Sequence, residues 1–224
     1  MRSRAAPLRP DMRYHLPDHI SFGLFGERAV LLDAVADRYY LLAGPDADFL
    51  AGVANPVPAD RLAARGLLAR GAGQAIVPVE ARERTASALE ARGRVARMSA
   101  CEVGGHRLEA SLSLRFRGLS PTIERWRRLR ARRSDPAGRS SQAGGVGDLA
   151  RGYAKARLYV PARRRCVPDS LALMRCLWRR GHDAELYFGV RLAPFAAHCW
   201  VQKGDLLLSD PLDIVREFTP VFRL

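Results

Sequence analysis

From Ile20 the chain alternates. Ile20, Phe22 and Leu24 are apolar, while Ser21 and Gly23 between them are polar or small, which is the period of a half-buried strand. Gly26-Glu27 reads as a turn, Arg28 to Asp33 as a second strand, and Asp37-Arg38 as the closure into a third over Tyr39-Tyr40-Leu41-Leu42. Gly44-Pro45-Asp46 then opens a helix with Phe49, Leu50 and Val53 on one side. Pro56 and Pro58 interrupt it, and Asp60 predicts a capped helix from Arg61 to Arg70 with Gly71 beyond its end. Residues 18–80 thus predict three short strands followed by two or three short helices, a winged-helix-like module. Residues 71–84 read as a connector, and Thr85 to Ala100 as a helix rich in Ala, Glu and Arg that Cys101 to His106 breaks. The period of Leu108 to Phe116 fits strand and helix equally. A basic helix follows from Ile123 to Arg133, then a flexible Gly- and Ser-rich loop near 134–147, then a helix from Asp148 to about Val160.

The clearest helix begins at Cys166. Val167, Leu171, Met174 and Trp178 recur at helical offsets, Pro168, Asp169 and Ser170 suit a first turn, and Gly181 follows Arg179 and Arg180 at the far end. Beyond Gly181 the period changes to two. Strands are predicted over 184–190, 196–202 and 206–210, with a turn at Lys203-Gly204-Asp205 and a stop at Pro211. The prediction for this half is a helix packed on an antiparallel sheet, and for the whole chain an α+β fold. The boundary falls near residue 82, with a first domain over 1–82 and a second over 83–224.

Chemistry enters through register. With a three-residue loop at 203–205, Gln202 faces Leu206, Trp200 faces Leu208 and His198 faces Asp210. Opposed residues of an antiparallel pair have Cβ atoms about 4.5–5.5 Å apart on one face. A carboxylate there orients one ring nitrogen and leaves the other for whatever packs above. Cys166, at a helix N-terminus behind Arg163, Arg164 and Arg165, is the thiol placed to pack there; the helix end and the arginines both favour thiolate. A one-residue slip in the hairpin brings Asp205 or Asp213 into competition with Asp210. Cys176 and Cys199 read as core thiols, Cys199 on the face opposite His198, and His182 as an exposed turn residue. His15 and His19 have no thiol, serine or carboxylate cluster beside them.

Composition narrows the picture. The 224 residues, 48% of them hydrophobic, suffice for one large or two small domains. A net charge of +14 favours acidic peptides or other anions as partners. Ile123, Trp126 and Leu129 give the arginine-rich helix an apolar edge, so packing through Trp126 is expected there, not nucleic-acid binding. The four cysteines contain no C-x-x-C pair, so neither a disulfide framework nor a structural metal site is expected. No membrane span and no signal peptide are visible, which makes a cytoplasmic protein the expectation.

Cys166-Val-Pro-Asp-Ser-Leu-Ala-Leu173, Gly181, Gly189-Val190 and Pro194-Phe-Ala-Ala-His198-Cys-Trp200-Val together resemble the catalytic domain of the lasso peptide biosynthesis B proteins. Arg28-Ala-Val-Leu-Leu-Asp33 and Arg38-Tyr-Tyr-Leu-Leu42 resemble, more weakly, the leader-recognition element of the same pathway. The resemblance implies a transglutaminase-like cysteine endopeptidase fused to a recognition module. It implies Cys166 as nucleophile, His198 as base and acid, and Asp210 as the orienting carboxylate. It also implies leader contacts by Tyr39, Tyr40, Leu42, Leu62 and Leu67. The implied partners are the precursor peptide and an asparagine-synthetase-like macrolactam cyclase. No cofactor is expected, and without a G-x-x-x-x-G-K-[ST] loop no nucleotide site is expected either. The alternatives are a non-catalytic peptide-binding scaffold and a papain-like acyltransferase.

Overall fold

A computed structural model describes residues 14–53, 57–80, 82–132 and 145–224. In chain order the elements are β1 (Tyr14–His15), β2 (Ile20–Phe25), β3 (Arg28–Asp33), β4 (Arg38–Ala43), α1 (Pro45–Leu50), α2 (Val57–Ala64), β5 (Ala69–Arg70) and β6 (Ala86–Ser87). There follow α3 (Ala100–Arg117), α4 (Leu119–Ala131), α5 (Val146–Arg157), α6 (Cys166–Arg179), β7 (Glu185–Leu192), β8 (Phe195–Lys203), β9 (Leu206–Leu207), α7 (Leu212–Arg216) and β10 (Thr219–Arg223). They form two compact units, residues 1–80 with 219–222 and residues 81–218 with 223–224. The predicted flexible loop lies almost wholly outside the described residues.

In the first unit β2, β3 and β4 form an antiparallel meander, with Phe22 opposite Leu31 and Leu31 opposite Tyr40. The tight turn at Gly26 uses a left-handed φ of 62°, which costs glycine nothing. Alternation along the strands sends Phe22, Leu31 and Leu42 inward, where they meet Leu50, Leu62 and Leu67 from the helical half. The second helix differs from its prediction. It starts at Val57 and ends at Ala64, with Pro58 in its first turn, where a missing N–H costs no hydrogen bond. Residues 69–70 instead pair with 14–15 as a two-stranded ribbon.

In the second unit α6 is the centre. Leu171, Leu173, Met174, Cys176 and Leu177 are all buried at 1% exposure or less. Large apolar side chains removed from water stabilise the fold by about 1.5–3 kcal/mol each. Helices α3 and α5 and strands β7 and β8 all pack against α6. Trp126 of α4 is fully buried and its Nε1–H donates to the Leu171 carbonyl at 3.1 Å, so the basic helix does pack through this residue. Strand β7 pairs antiparallel with β8 and β8 with β9, and β6 adds in parallel beyond β9. On the outer side of β7, Leu186 and Leu224 exchange backbone hydrogen bonds of 3.1 and 2.9 Å.

Three expectations fail here. Residues 85–99 are not a helix, because their backbone is bound elsewhere: Thr85 N–H to Asp205, Ala88 N–H to Leu207 and Ala96 N–H to Asp148. Residues 101–106 do not break a helix but lie inside α3, which Ser99 caps by accepting from the Glu102 N–H at 3.1 Å. His182 is buried, not exposed, at the turn after α6.

Candidate active site

Helix α6 presents Cys166 at its first position, half-buried. Its approach is fixed by charge. Asp169, in the first turn, reaches back to accept the Arg165 N–H at 2.9 Å. It also accepts from Arg107 at 2.8 Å and from Arg157 at 2.7 Å. Arg157 is 5% exposed and ties down the loop before the helix through the carbonyls of Val160, Ala162 and Arg163, at 3.1, 2.8 and 3.2 Å. A buried guanidinium needs this many acceptors, because an unpaired one would forfeit its hydration without return. The outcome is a rigid lead-in to Cys166. One turn further on, the Ser170 hydroxyl donates to the Cys199 carbonyl at 3.2 Å and clamps α6 onto β8 beside His198.

His198 lies on β8, and its partner across the ladder on β7 is Gly189, which has no side chain to crowd the ring. The imidazole Nε2 is 3.0 Å from Asp210 Oδ1, and the two side chains are 19% and 18% exposed. Cys166 lies near enough to the imidazole to favour its protonated form. Since Nε2 is taken by Asp210, the nitrogen left for the thiol is Nδ1. Burial opposes a charged imidazole, but the hydrogen bonds and charges of Asp210 and Cys166 outweigh it, and the pKa of His198 is pushed up to about 9. The ring is walled by Trp200, stacked at 6.4 Å between centroids, and by Phe218 at 5.4 Å. Trp200 stacks in turn on Tyr187 at 5.6 Å. Aromatic walls of this kind keep water from competing for the hydrogen bonds of the pair.

The thiol, imidazole and carboxylate singled out in the sequence thus come together, though the hairpin register differs from the prediction. Gln202 pairs with Leu207 and Lys203 with Leu206, so the loop holds two residues, not three. The two rival carboxylates are elsewhere. Asp205 accepts from the Thr85 hydroxyl at 2.6 Å, and Asp213 accepts from the Ile214 N–H at 2.9 Å. Cys176 and Cys199 are buried, and burial pushes the Cys176 thiol up to about 12 and the Cys199 thiol well above the ordinary range, so both stay neutral. Three of the five positions assigned to leader contact need correction. Leu42, Leu62 and Leu67 are 3%, 0% and 1% exposed and their side chains are consumed by the core of the first unit. Tyr39 and Tyr40 remain half-buried and Leu41 beside them is exposed. Sequence reasoning passed over Arg107 and Arg157 altogether, and it saw Asp169 only as a first-turn residue.

Glu102, His106 and Cys176 bring three potential metal-ligand atoms within 4.8 Å of one another. Glu102 is already engaged by Arg180 through both oxygens at 2.7 and 2.8 Å, and Arg175 and Arg179 add further positive charge. That field repels a cation, and the group reads as an ion-paired brace between α3 and the end of α6.

The family model of the transglutaminase-like superfamily matches residues 110–223, just over half of the chain, including Cys166, His198 and Asp210. The chain belongs to the transglutaminase-like superfamily. The superfamily segment contains α6 and the β7–β8 hairpin entire, and so the whole of the Cys166, His198 and Asp210 geometry. A curated relative, the microcin J25-processing protein McjB of Escherichia coli, is 44% identical over 45 residues. That match covers 20% of this chain and 22% of the relative, so the chain spans about a fifth of the length of the curated relative it matches. No solved structure matches the chain at a significant level. No helix among the described residues is long and apolar enough to cross a membrane.

Proposed function

We propose that this chain is a leader peptidase of lasso peptide biosynthesis, a cysteine endopeptidase that binds a precursor by its leader and cuts leader from core. The observation that carries the reading is the 3.0 Å pair of His198 and Asp210 with Cys166 beside it at the first position of α6. The short match to a microcin-processing protein supports the choice of substrate.

The chemistry follows from the geometry. Attack on a carbonyl needs Cys166 as thiolate, and the His198 imidazole is the group beside it that holds and returns the proton. The thiolate attacks the scissile carbonyl, and the Cys166 N–H at the first turn of α6 is the donor we assign to the oxyanion. His198 gives its proton to the leaving amine as the C–N bond breaks. The leader is then held as a thioester. Water loses a proton to His198 and attacks that carbonyl, the C–S bond breaks, and the thiolate returns. Asp210 keeps the ring oriented and its positive charge compensated throughout.

The first unit supplies recognition in this reading. We take it as a winged-helix-like module that accepts the leader as an added strand along β4, which stands at the edge of its sheet. The net charge of +14 steers acidic segments toward the protein. A partner cyclase of the asparagine-synthetase type would receive the freed core.

The deciding experiment is Cys166→Ala with the purified precursor, followed by mass spectrometry. Cleavage should fall to background, while binding of the precursor persists. Full cleavage by this variant removes the protease reading and leaves a peptide-binding scaffold. Trapping of the thioester by an added amine in preference to water would instead indicate an acyltransferase.

A further inference from the structure

The ladder between β8 and β9 does not by itself bring Asp210 to His198. With Gln202 opposite Leu207 and Lys203 opposite Leu206, continued pairing sets Asp210 against Cys199 and His198 against Pro211. The last regular bond is the Leu208 N–H to the Val201 carbonyl at 2.8 Å. The return bond of such a pair would run from the Val201 N–H to the Leu208 carbonyl. Here that N–H donates instead to the Ser209 hydroxyl oxygen at 2.9 Å. A side chain replaces a carbonyl, the strand leaves the ladder, and Asp210 turns onto the His198 side.

The same hydroxyl also bonds Asp210 Oδ2. Its roles are fixed by chemistry. An amide N–H can only donate, so Ser209 accepts there, and its one proton goes to the carboxylate. Asp210 Oδ2 is occupied by Ser209 and Oδ1 by His198 Nε2. A third restraint acts on the backbone. Ser87 donates to the Asp210 carbonyl at 2.8 Å and accepts the Leu89 N–H at 3.1 Å.

We infer that Ser209 is a positioning residue for the Cys166–His198–Asp210 site, its hydroxyl bridging the Val201 N–H and the Asp210 carboxylate so that the free oxygen is held on the imidazole. The inference rests on the reading of the site given under the proposed function. Ser209 touches no reacting atom; it acts through the orientation of Asp210, as outer-shell groups do around other sites.

The test compares Ser209→Ala and Ser209→Thr with the parent chain in the full-length protein. Two readouts need no precursor: the rate of Cys166 alkylation by iodoacetamide against pH, and the titration of the His198 ring by NMR. In Ser209→Ala the His198 midpoint should fall, the pH profile of alkylation should move with it, and kcat for precursor cleavage should drop about ten- to a hundredfold with KM unchanged. Ser209→Thr, which keeps the hydroxyl, should recover most of the loss. Parent-like titration and kcat in Ser209→Ala overturn the inference. So does a loss of kcat with an unmoved His198 midpoint that threonine does not rescue, since that marks a merely structural role. If Ser209→Ala does not fold, Ser209→Cys, close in size with a much weaker donor, carries the same comparison. Cleavage surviving in Cys166→Ala would defeat the protease reading separately, because the two precursor-free measurements report on Ser209 either way.

Discussion

At the scale of single residues, His198 decides what the site can do at neutral pH. Its pKa of about 9 is raised from a usual imidazole value near 6.5. A group raised on folding lends stability that is fully present below its unfolded pKa and is lost as pH rises through its folded pKa. The pairing of His198 should therefore be complete below about pH 6.5 and disappear through about pH 9. NMR titration should place the imidazole midpoint near 9 in the parent chain, and at a lower pH in both Cys166→Ala and Asp210→Asn, since each removes one of the groups that hold the proton. A midpoint that stays put in both variants would mean that neither partner holds the ring. The sequence showed this residue set but not the route by which it assembles. A three-residue loop puts His198 opposite Asp210 on paper, whereas the real loop has two residues and Ser209 makes up the difference. Pattern reading counts backbone positions, and a hydroxyl standing in for a carbonyl is invisible to it.

At the scale of elements, legibility followed the distance of the hydrogen-bond partners. Helix α6 and the β7–β8 hairpin satisfy their backbones locally, and their periods of about 3.6 and 2 were readable to within a residue or two. Residues 85–99 take their partners from β9 and α5, so their helix-favouring composition lost to tertiary bonds. Helix α3 was hidden by two glycines, although Ser99 and Glu102 stand at capping-box spacing just ahead of them. Those glycines set up a contrast with Gly152 of α5. Replacing a helical glycine by alanine ordinarily gains about 0.5–1 kcal/mol. A methyl group added at Gly105 would have nothing within 4 Å, so Gly105→Ala should raise the melting temperature by a few degrees. At Gly152 a Cβ would stand 2.3 Å from the Ala96 carbonyl oxygen, in the very segment that α5 holds in place of a helix. Gly152→Ala should cost about 1–3 kcal/mol and lower the melting temperature, the reverse of its helix propensity. Calorimetry on the two variants separates them; a stabilised Gly152→Ala would mean that 85–99 is not held against α5 as described.

At the scale of the whole molecule, the two units are not two consecutive stretches of chain. Residues 219–222 belong with the first unit, and 223–224 with the second. In β2, a Cβ on Gly23 would lie 2.2 Å from the Pro220 carbonyl oxygen, so the C-terminal segment is built into the first unit at backbone contact. Cutting away residues 1–82 would remove most of the unit to which 219–222 belong, so loss of activity in such a truncation would say little about leader binding. A point substitution in the intact chain is the cleaner probe of the recognition proposal. Leu41 is 55% exposed on β4, with Val30 opposite it on β3, and it faces away from the core that Leu42 enters. A leader added as a strand beside β4 would lay its side chains along that face, where apolar neighbours stabilise the pairing and a charge opposes it. Leu41→Lys should therefore weaken precursor affinity at least about tenfold by titration calorimetry, a difference of roughly 1.4 kcal/mol. The rate of Cys166 alkylation should be untouched, because no atom of the second unit has been changed. Unaltered affinity would exclude β4 as the docking edge, and altered alkylation would show that the substitution had damaged more than the recognition surface.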